Sequence, residues 1–479
     1  MSDIIPGPKG LPLIGNSLDM WQDRDMPLRG LERLADLYGP IYQAVLGGRR
    51  VLVCSSANLM HELTDEKRFA KIPPPTVASG PRPKGLFLAR NEDPDWAQGH
   101  RILMPVFAPL AVQDMFHEMK DIANQLVLSW ARKGSDHRIL ATEDYTKLTL
   151  DTIALCTMGY RFNSFYTESQ HPFIEAMNFI FTENTARTTR PGVVTKLMYR
   201  TNAQYDHSQS VLREVGQKII DDRRANPVDK KDVLNTMIYG KDPKTGLVMR
   251  DELIMEQMLT FLIAGHETTS GLLSFTTMYL LKHPATYLKA QKEIDEVLGT
   301  RSIEASDISK LKYLTAVLRE AARLQPTVPV LQKEVAPELA SGPVLLDSGR
   351  YQVLPEDRII LLMSKSQRDP TVWGEDANDF NPDRMLDENF DRISAEYPSA
   401  WKPFGNGKRA CIGRAFAWQE SLLVLAMLLQ NFDIKLDDPN YNLVVKQALT
   451  VKPDNFYIRV TPRTHLHHTS SSRCPASRL

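Results

Sequence analysis

Phe404-Gly405-Asn406-Gly407-Lys408-Arg409-Ala410-Cys411-Ile412-Gly413 is a glycine-rich run ahead of an apolar helical pattern that includes Leu422-Leu423-Val424-Leu425-Ala426-Met427-Leu428-Leu429. The pattern predicts a loop that delivers Cys411 to the leading end of a long buried helix. A cysteine there meets unpaired backbone N–H groups and the positive end of the helix dipole. Both are expected to lower the thiol pKa and favour thiolate, the form that binds metal. Arg409 offers a cation for a carboxylate of a ligand. Gly407 and Gly413 are expected to leave room for something bulky and flat beside the backbone. The bland alternative is that Cys411 is a small buried hydrophobe.

Upstream, residues 250–282 form one helical pattern of roughly 50 Å, ended by Pro284. Its middle reads Phe261-Leu262-Ile263-Ala264-Gly265-His266-Glu267-Thr268-Thr269-Ser270. Five successive polar residues in an apolar helix are expected to face a site, a groove or water, since burying them unpaired is costly. A plain solvated turn is the competing reading. Further along, Glu320-Ala321-Ala322-Arg323 is an i, i+3 pair of a kind that usually lies on a surface.

Composition bounds the rest. The 479 residues are 42% hydrophobic and 24% charged, ordinary for a globular protein and unlike a disordered chain. Lys plus Arg and Asp plus Glu both number 58, so no electrostatic footprint for nucleic acid follows. Four cysteines (Cys54, Cys156, Cys411, Cys474) are too few for a disulfide scaffold, which points to a reducing, cytoplasmic compartment. The opening Met1-Ser2-Asp3-Ile4-Ile5-Pro6-Gly7-Pro8 lacks a signal-peptide pattern, and no apolar run of about 18 residues occurs. A soluble protein with no membrane anchor is expected.

Ile41 to Cys54 reads as a hairpin across Gly47-Gly48. Residues 71–88 read as irregular, helical patterns dominate to about 325, and 330–365 return to strand-like runs. Residues 369–400 read as irregular coil, and a polar tail occupies 463–479. With no repeat and no βα alternation, the expectation is a single large, mainly α fold with a smaller β portion.

The Cys411 run fits F-x-x-G-x-R-x-C-x-G, the haem-ligand loop of the cytochrome P450 family. Trp96-Ala97-Gln98-Gly99-His100, Ala264-Gly265-His266-Glu267-Thr268-Thr269 and Glu320-Ala321-Ala322-Arg323 resemble three further motifs of that family, in its order. The resemblance runs from Pro6 to about Val460. It is strongest to the haem domain of self-sufficient, reductase-fused bacterial and fungal fatty-acid hydroxylases, on residues 85–87, 261–274 and 402–413.

It implies a P450-type fold with a long central helix over haem b, in a haem domain 1–462 followed by a tail at 463–479 that begins a linker. Cys411 would be the thiolate ligand of the iron, in a cofactor-binding loop with Phe404, Gly407, Arg409 and Gly413. Lys71, Trp96 and His100 would meet the propionates. Ala264 and Gly265 would lie over the distal face, Gly265 letting oxygen and porphyrin come close. Thr268 would deliver protons to dioxygen with support from Glu267. Glu320 and Arg323 would lock their helix to the stretch ending Phe380-Asn381-Pro382-Asp383-Arg384. Phe87, Val328 and Leu449 would line the substrate space. Arg49 stands where relatives hold a fatty-acid carboxylate, with apolar Val53 where a partner Tyr would be.

The implied activity is hydroxylation of unactivated C–H bonds of apolar substrates, medium- or long-chain fatty acids near the chain end. O2 is the oxidant, and electrons come from an NADPH-dependent FAD/FMN reductase, fused or separate. Rival readings are a haem-thiolate peroxygenase or isomerase needing no reductase, a haem-based carrier or sensor, and a metal-free redox thiol. The Thr268-Thr269 pair counts against the first of these.

Overall fold

The structure, a computed structural model, describes residues 3–463 except 13, 21, 22, 24, 25, 73–84, 168–170, 191 and 449. Leu449, most of the stretch expected to be irregular at 71–88, and the tail after Arg463 therefore lie outside the described residues.

β1 (Ile41–Leu46) and β2 (Arg49–Cys54) form the expected antiparallel hairpin, in register from Ile41↔Cys54 to Leu46↔Arg49. Gly47 and Gly48 take φ of 58° and 75°, the backbone that a two-residue turn needs to match strand twist. β3 (Phe69–Lys71), β4 (Val330–Val335) and β5 (Arg358–Leu362) complete a sheet ordered β1-β2-β5-β4-β3, with β2 and β5 parallel. Leu52, Cys54, Phe69, Val335, Ile359 and Leu361 alternate onto one face. There they share a small core with Leu59, Met60 and Leu63 of α1 (Ala57–Leu63). The other face turns Tyr42, Ala44, Val51, Val53 and Leu362 toward the main helical core.

α2 (Pro94–Leu103) starts at Asp93, whose side chain accepts the Asp95 N–H, with proline at the first helical position. In α3 (Ala141–Met158) every residue from 148 to 158 is buried, so this helix runs through the core. α4 (Asp251–Lys282) is the long central helix, 32 residues or about 48 Å. Asp251 and Glu252 in its first turn complement the helix dipole, and Pro284 opens the next helix, Pro284–Leu298. α3 and α4 lie side by side, joined by Tyr145 Oη to Thr277 Oγ1 at 2.8 Å and by Thr149 Oγ1 donating to the His266 carbonyl at 2.9 Å.

α5 (Lys312–Leu324) carries Glu320 and Arg323, both fully buried, against the surface pair such a spacing usually gives. Arg323 donates to both Glu320 oxygens at 2.7 and 2.8 Å. It also donates to the carbonyls of Gln367, Ala377 and Asp379. Glu320 accepts the Asn381 N–H and pairs with Arg384 at 3.2 Å. One buried ion cluster therefore holds α5 to the chain at 367–384, each charge compensated by several partners.

That chain departs from the coil expected at 369–400. Short helices occupy Pro370–Trp373 and Pro382–Met385, and α6 spans Asp387–Glu396. Pro370 and Pro382 sit at helix starts, where proline is tolerated, and α6 buries only Ile393, so its sequence shows no apolar stripe. α7 (Arg414–Asn431) follows the cysteine loop and is buried continuously from Glu420 to Gln430. The strand Tyr457–Pro462 ends the described fold, apart from Arg463. Arg463, which the sequence reading assigns to the tail, is buried instead, bonded to Asp295 and the Leu429 carbonyl. Among the described residues no helix is long and apolar enough to cross a membrane.

Candidate active site

The cysteine loop is closed by the Cys411 N–H donating to the Phe404 carbonyl at 2.8 Å, with Gly405 and Gly407 at φ of 70° and 62°. Phe404 packs edge-on against Trp418 of α7. Cys411 has open surface, yet protein atoms surround it densely enough that burial pushes its thiol up from the ordinary value. Its accessible side thus faces an interior space. The Gly413 N–H and the charges of Lys71 and Arg414 pull the thiol back only in part. This corrects the expected depression: α7 starts at Arg414, three residues later, and desolvation outweighs the helix end.

Gly407 does not make room for a flat ligand. An ideal Cβ there would lie 2.2 Å from the Glu66 carboxyl carbon. The Glu66 carboxylate accepts the Lys408 N–H at 2.8 Å, and Asn406 donates to the Thr64 carbonyl, so the chain just after α1 clasps the loop. At Gly413 the nearest atom to such a Cβ is Cys411 Sγ, 4.0 Å away, so this position is open.

Lys71, Phe87, Trp96, His100 and Arg409 come together. The Lys71 ammonium lies 4.5 Å above the Phe87 ring. The Trp96 ring lies 5.0 Å from the His100 ring and 5.0 Å from the Arg409 guanidinium. Arg409 donates to the Ala89, Leu86 and Phe87 carbonyls and to Asn91, rather than standing free for a ligand. Gln257 of α4 accepts the Leu86 N–H at 3.1 Å, so residues 85–89 bridge the central helix and the cysteine loop.

Burial, with Arg409 and Lys333 nearby, pushes Lys71 down to about 7, and burial lowers Arg409 to about 10. His100 is lowered by burial and by Arg409. Neither the Lys71 ammonium nor the Trp96 indole N–H has a hydrogen-bond partner among the described residues. Desolvated cations and an idle donor around an open cysteine are a donor set suited to a flat group that carries carboxylates at its edge.

On α4 the polar run is buried, which excludes the solvated turn. His266, Glu267, Thr269 and Ser270 are buried, while Thr268 keeps partial exposure. Thr260, Ile263, Ala264 and Thr268 are all partly open and follow helical spacing, so one stripe of α4 is left uncovered by protein. Thr268 Oγ1 donates to the Ala264 carbonyl at 2.9 Å.

Gly265 serves the helix pair rather than a ligand: an ideal Cβ would stand 2.6 Å from Ile153 Cγ1 of α3. Glu267 turns toward a two-stranded sheet, β6 (Val445–Gln447) with β7 (Val451–Pro453). It accepts from Lys452 at 2.9 Å and from Thr450 at 3.1 Å, with His266 Nε2 at 3.4 Å. Burial alone would raise its carboxyl, but Lys452 and then His266 hold it well below the usual range.

Val328 is half-buried ahead of β4. Arg49 is exposed at the hairpin end, and Val53 is fully buried opposite Tyr42. Glu66, Ile153, Gln257 and Lys452 are site residues that sequence reasoning missed. For Lys452 a signal existed in the Thr450-Val451-Lys452 alternation, which places both polar groups on one face.

A cysteine loop before a buried helix, tied through residues 85–89 to a long central helix that keeps an open stripe, is the arrangement of a haem-thiolate type of fold. The family model described as Cytochrome P450 matches residues 5–460, and the chain belongs to that family. It is 49% identical over 469 residues to a bifunctional cytochrome P450/NADPH–P450 reductase of Aspergillus oryzae, covering 96% of this chain and 42% of that protein. It is 46% identical to a self-sufficient cytochrome P450 monooxygenase of Phanerodontia chrysosporium, covering 100% of this chain and 46% of the relative. A bifunctional P450/reductase of Acremonium egyptiacum is 47% identical, with 97% and 44% covered. The chain thus spans less than half the length of these curated relatives.

Proposed function

We propose that this chain is the haem domain of a monooxygenase that hydroxylates unactivated C–H bonds of medium- or long-chain fatty acids near the chain end. Haem supplies the activation of dioxygen and the oxidation of the C–H bond. The observation that carries the reading is Cys411, open to an interior space yet surrounded by protein, beside Lys71, Trp96, His100 and Arg409. In this reading Cys411 would bind the haem iron, and Lys71, Trp96 and His100 would hold the propionates. Arg409 contributes its charge while its N–H groups fix residues 86–91 in place.

Thr268 is the one hydroxyl of its run on the open stripe; its O–H donates to the Ala264 carbonyl at rest and can turn to hydrogen-bond a group in the space above, taking a replacement proton from water. Glu267 steadies α4 through Lys452 rather than moving protons. Phe87, Val328 and Ala264 shape the apolar wall. The reading includes an NADPH-dependent FAD/FMN reductase, fused or separate, supported by the reductase halves in the relatives' names. A cytoplasmic setting accords with the free, buried Cys54 and Cys156.

The test is a CO-difference spectrum of the reduced, haem-loaded protein. Thiolate ligation gives a strongly red-shifted Soret band that Cys411→Ser abolishes while haem is retained. A band that survives the substitution refutes Cys411 as ligand. Hydroxylated dodecanoic acid formed with added reductase, NADPH and O2 tests the substrate class.

A further inference from the structure

The face of the sheet that turns to the helical core is not closed along its length. Val330, Gln332 and Ile360 are half-buried on β4 and β5 inside the sheet, while Leu52, Ile359 and Leu361 on the other face are fully buried. Partial exposure inside a sheet covered on both faces marks a track. At its outer end β5 begins with Arg358, paired in register with Val51 of β2. Arg49, two residues before Val51, shares that face. The antiparallel register Lys333↔Ile359 brings Glu334 of β4 alongside Arg358.

The charges here do not balance. Arg90 bonds both carboxylate oxygens of Glu334, and no carboxylate among the described residues bonds Arg358. The Nη1 of Arg358 is buried with no hydrogen-bond partner among the described residues. Burial and the repulsion of Arg49 and Arg90, offset in part by Glu334, lower its pKa. A half-buried guanidinium with one idle, buried nitrogen is a costly arrangement that a planar, two-oxygen anion relieves.

We infer that Arg358 is the carboxylate anchor of the substrate track, receiving the headgroup of a linear fatty acid whose alkyl chain lies along Ile360 and Val330 toward Val328. Arg49 attracts the acid at the entrance, and Arg358 bonds it. Val330 to Glu334 covers roughly 13 Å of strand, a reach suited to a medium-chain acyl group. The anchor thus comes from a strand some 300 residues after the hairpin that the resemblance singles out. It rests on the fatty-acid reading above.

The experiment titrates the haem-loaded protein with dodecanoic acid and with dodecan-1-ol, following the shift of the Soret band. Arg358→Gln is expected to weaken acid binding roughly ten- to a hundredfold, the loss of a charge-assisted bond, and to leave the alcohol unchanged. Arg358→Lys, which keeps the charge but loses the fork, gives a smaller loss. Arg49→Gln weakens acid binding only a few-fold. Acid affinity within twofold of the unaltered protein in both Arg358 variants overturns the anchor, and the fatty-acid reading then stands on its own. An unaltered protein that binds the acid no better than the alcohol, or binds neither, overturns that reading and the anchor with it.

Discussion

The Glu66 carboxylate occupies the space that a side chain on Gly407 would need, and from there it accepts the Lys408 N–H at 2.8 Å. The contact joins the chain after α1 to the cysteine loop across 342 residues of sequence. It explains the glycine by a protein neighbour, together with the φ of 62° that other residues adopt only with strain.

Gly407→Ala is therefore expected to displace Glu66 and distort the loop, lowering stability by about 1–3 kcal/mol. Its reduced CO complex should lose part of the red-shifted band. Adding Glu66→Ala removes the clash and should recover part of that band. A spectrum untouched by Gly407→Ala contradicts the clasp.

Gly265→Ala separates helix packing from ligand access. The new methyl group would press on Ile153, so α3 and α4 must part, at about 1–3 kcal/mol in thermal or urea unfolding. The haem spectrum should stay normal, and Ile153→Ala in the same chain should restore part of the melting temperature. A spectral change without destabilisation would return Gly265 to the ligand.

The Glu267–Lys452 pair has a definite pH signature. A carboxyl whose pKa is depressed on folding adds stability at pH values above its unfolded value, about 4.5, and the stability is lost as pH falls below that. Lys452→Met takes the main cation from a buried carboxylate that keeps only Thr450 and His266 beside it, and should cost about 3–5 kcal/mol near neutral pH. The penalty should shrink as the medium is acidified. Denaturant melts between pH 7 and pH 4 check the sign, and a penalty that grows on acidification would be the wrong one.

Thr268→Ala removes one hydroxyl bonded within its own helix, so stability should move by only about 1 kcal/mol. With reductase supplied, the variant should consume NADPH but release more of the oxygen as peroxide. Peroxide yield per NADPH is the readout, and an unchanged yield removes Thr268 from proton delivery.

Local signals carried the parts of this protein whose reasons are local. The Gly47-Gly48 hairpin, the reach of α4 and the helix after Gly413 follow from turn chemistry and periodicity within a few residues. Cys411, Arg409, Trp96 and His100 are legible through motifs of the family that the chain resembles. The partners that give these residues their roles were not, because Ile153, Glu66, Lys452 and Gln257 sit in ordinary contexts far along the chain. Desolvation of Cys411 also depends on the whole fold, so the helix end alone gave the wrong direction for its pKa. α6 escaped notice because a solvated helix of charged residues lacks an apolar period.

Arg463 fastens the last described strand mechanically. Its guanidinium is tied to Asp295 and to the Leu429 carbonyl, and its backbone N–H to the Asn431 carbonyl, so the helix Pro284–Leu298 and the end of α7 both grip one residue. Tension applied at this knot is met before it can peel the strand Tyr457–Pro462 from its neighbours.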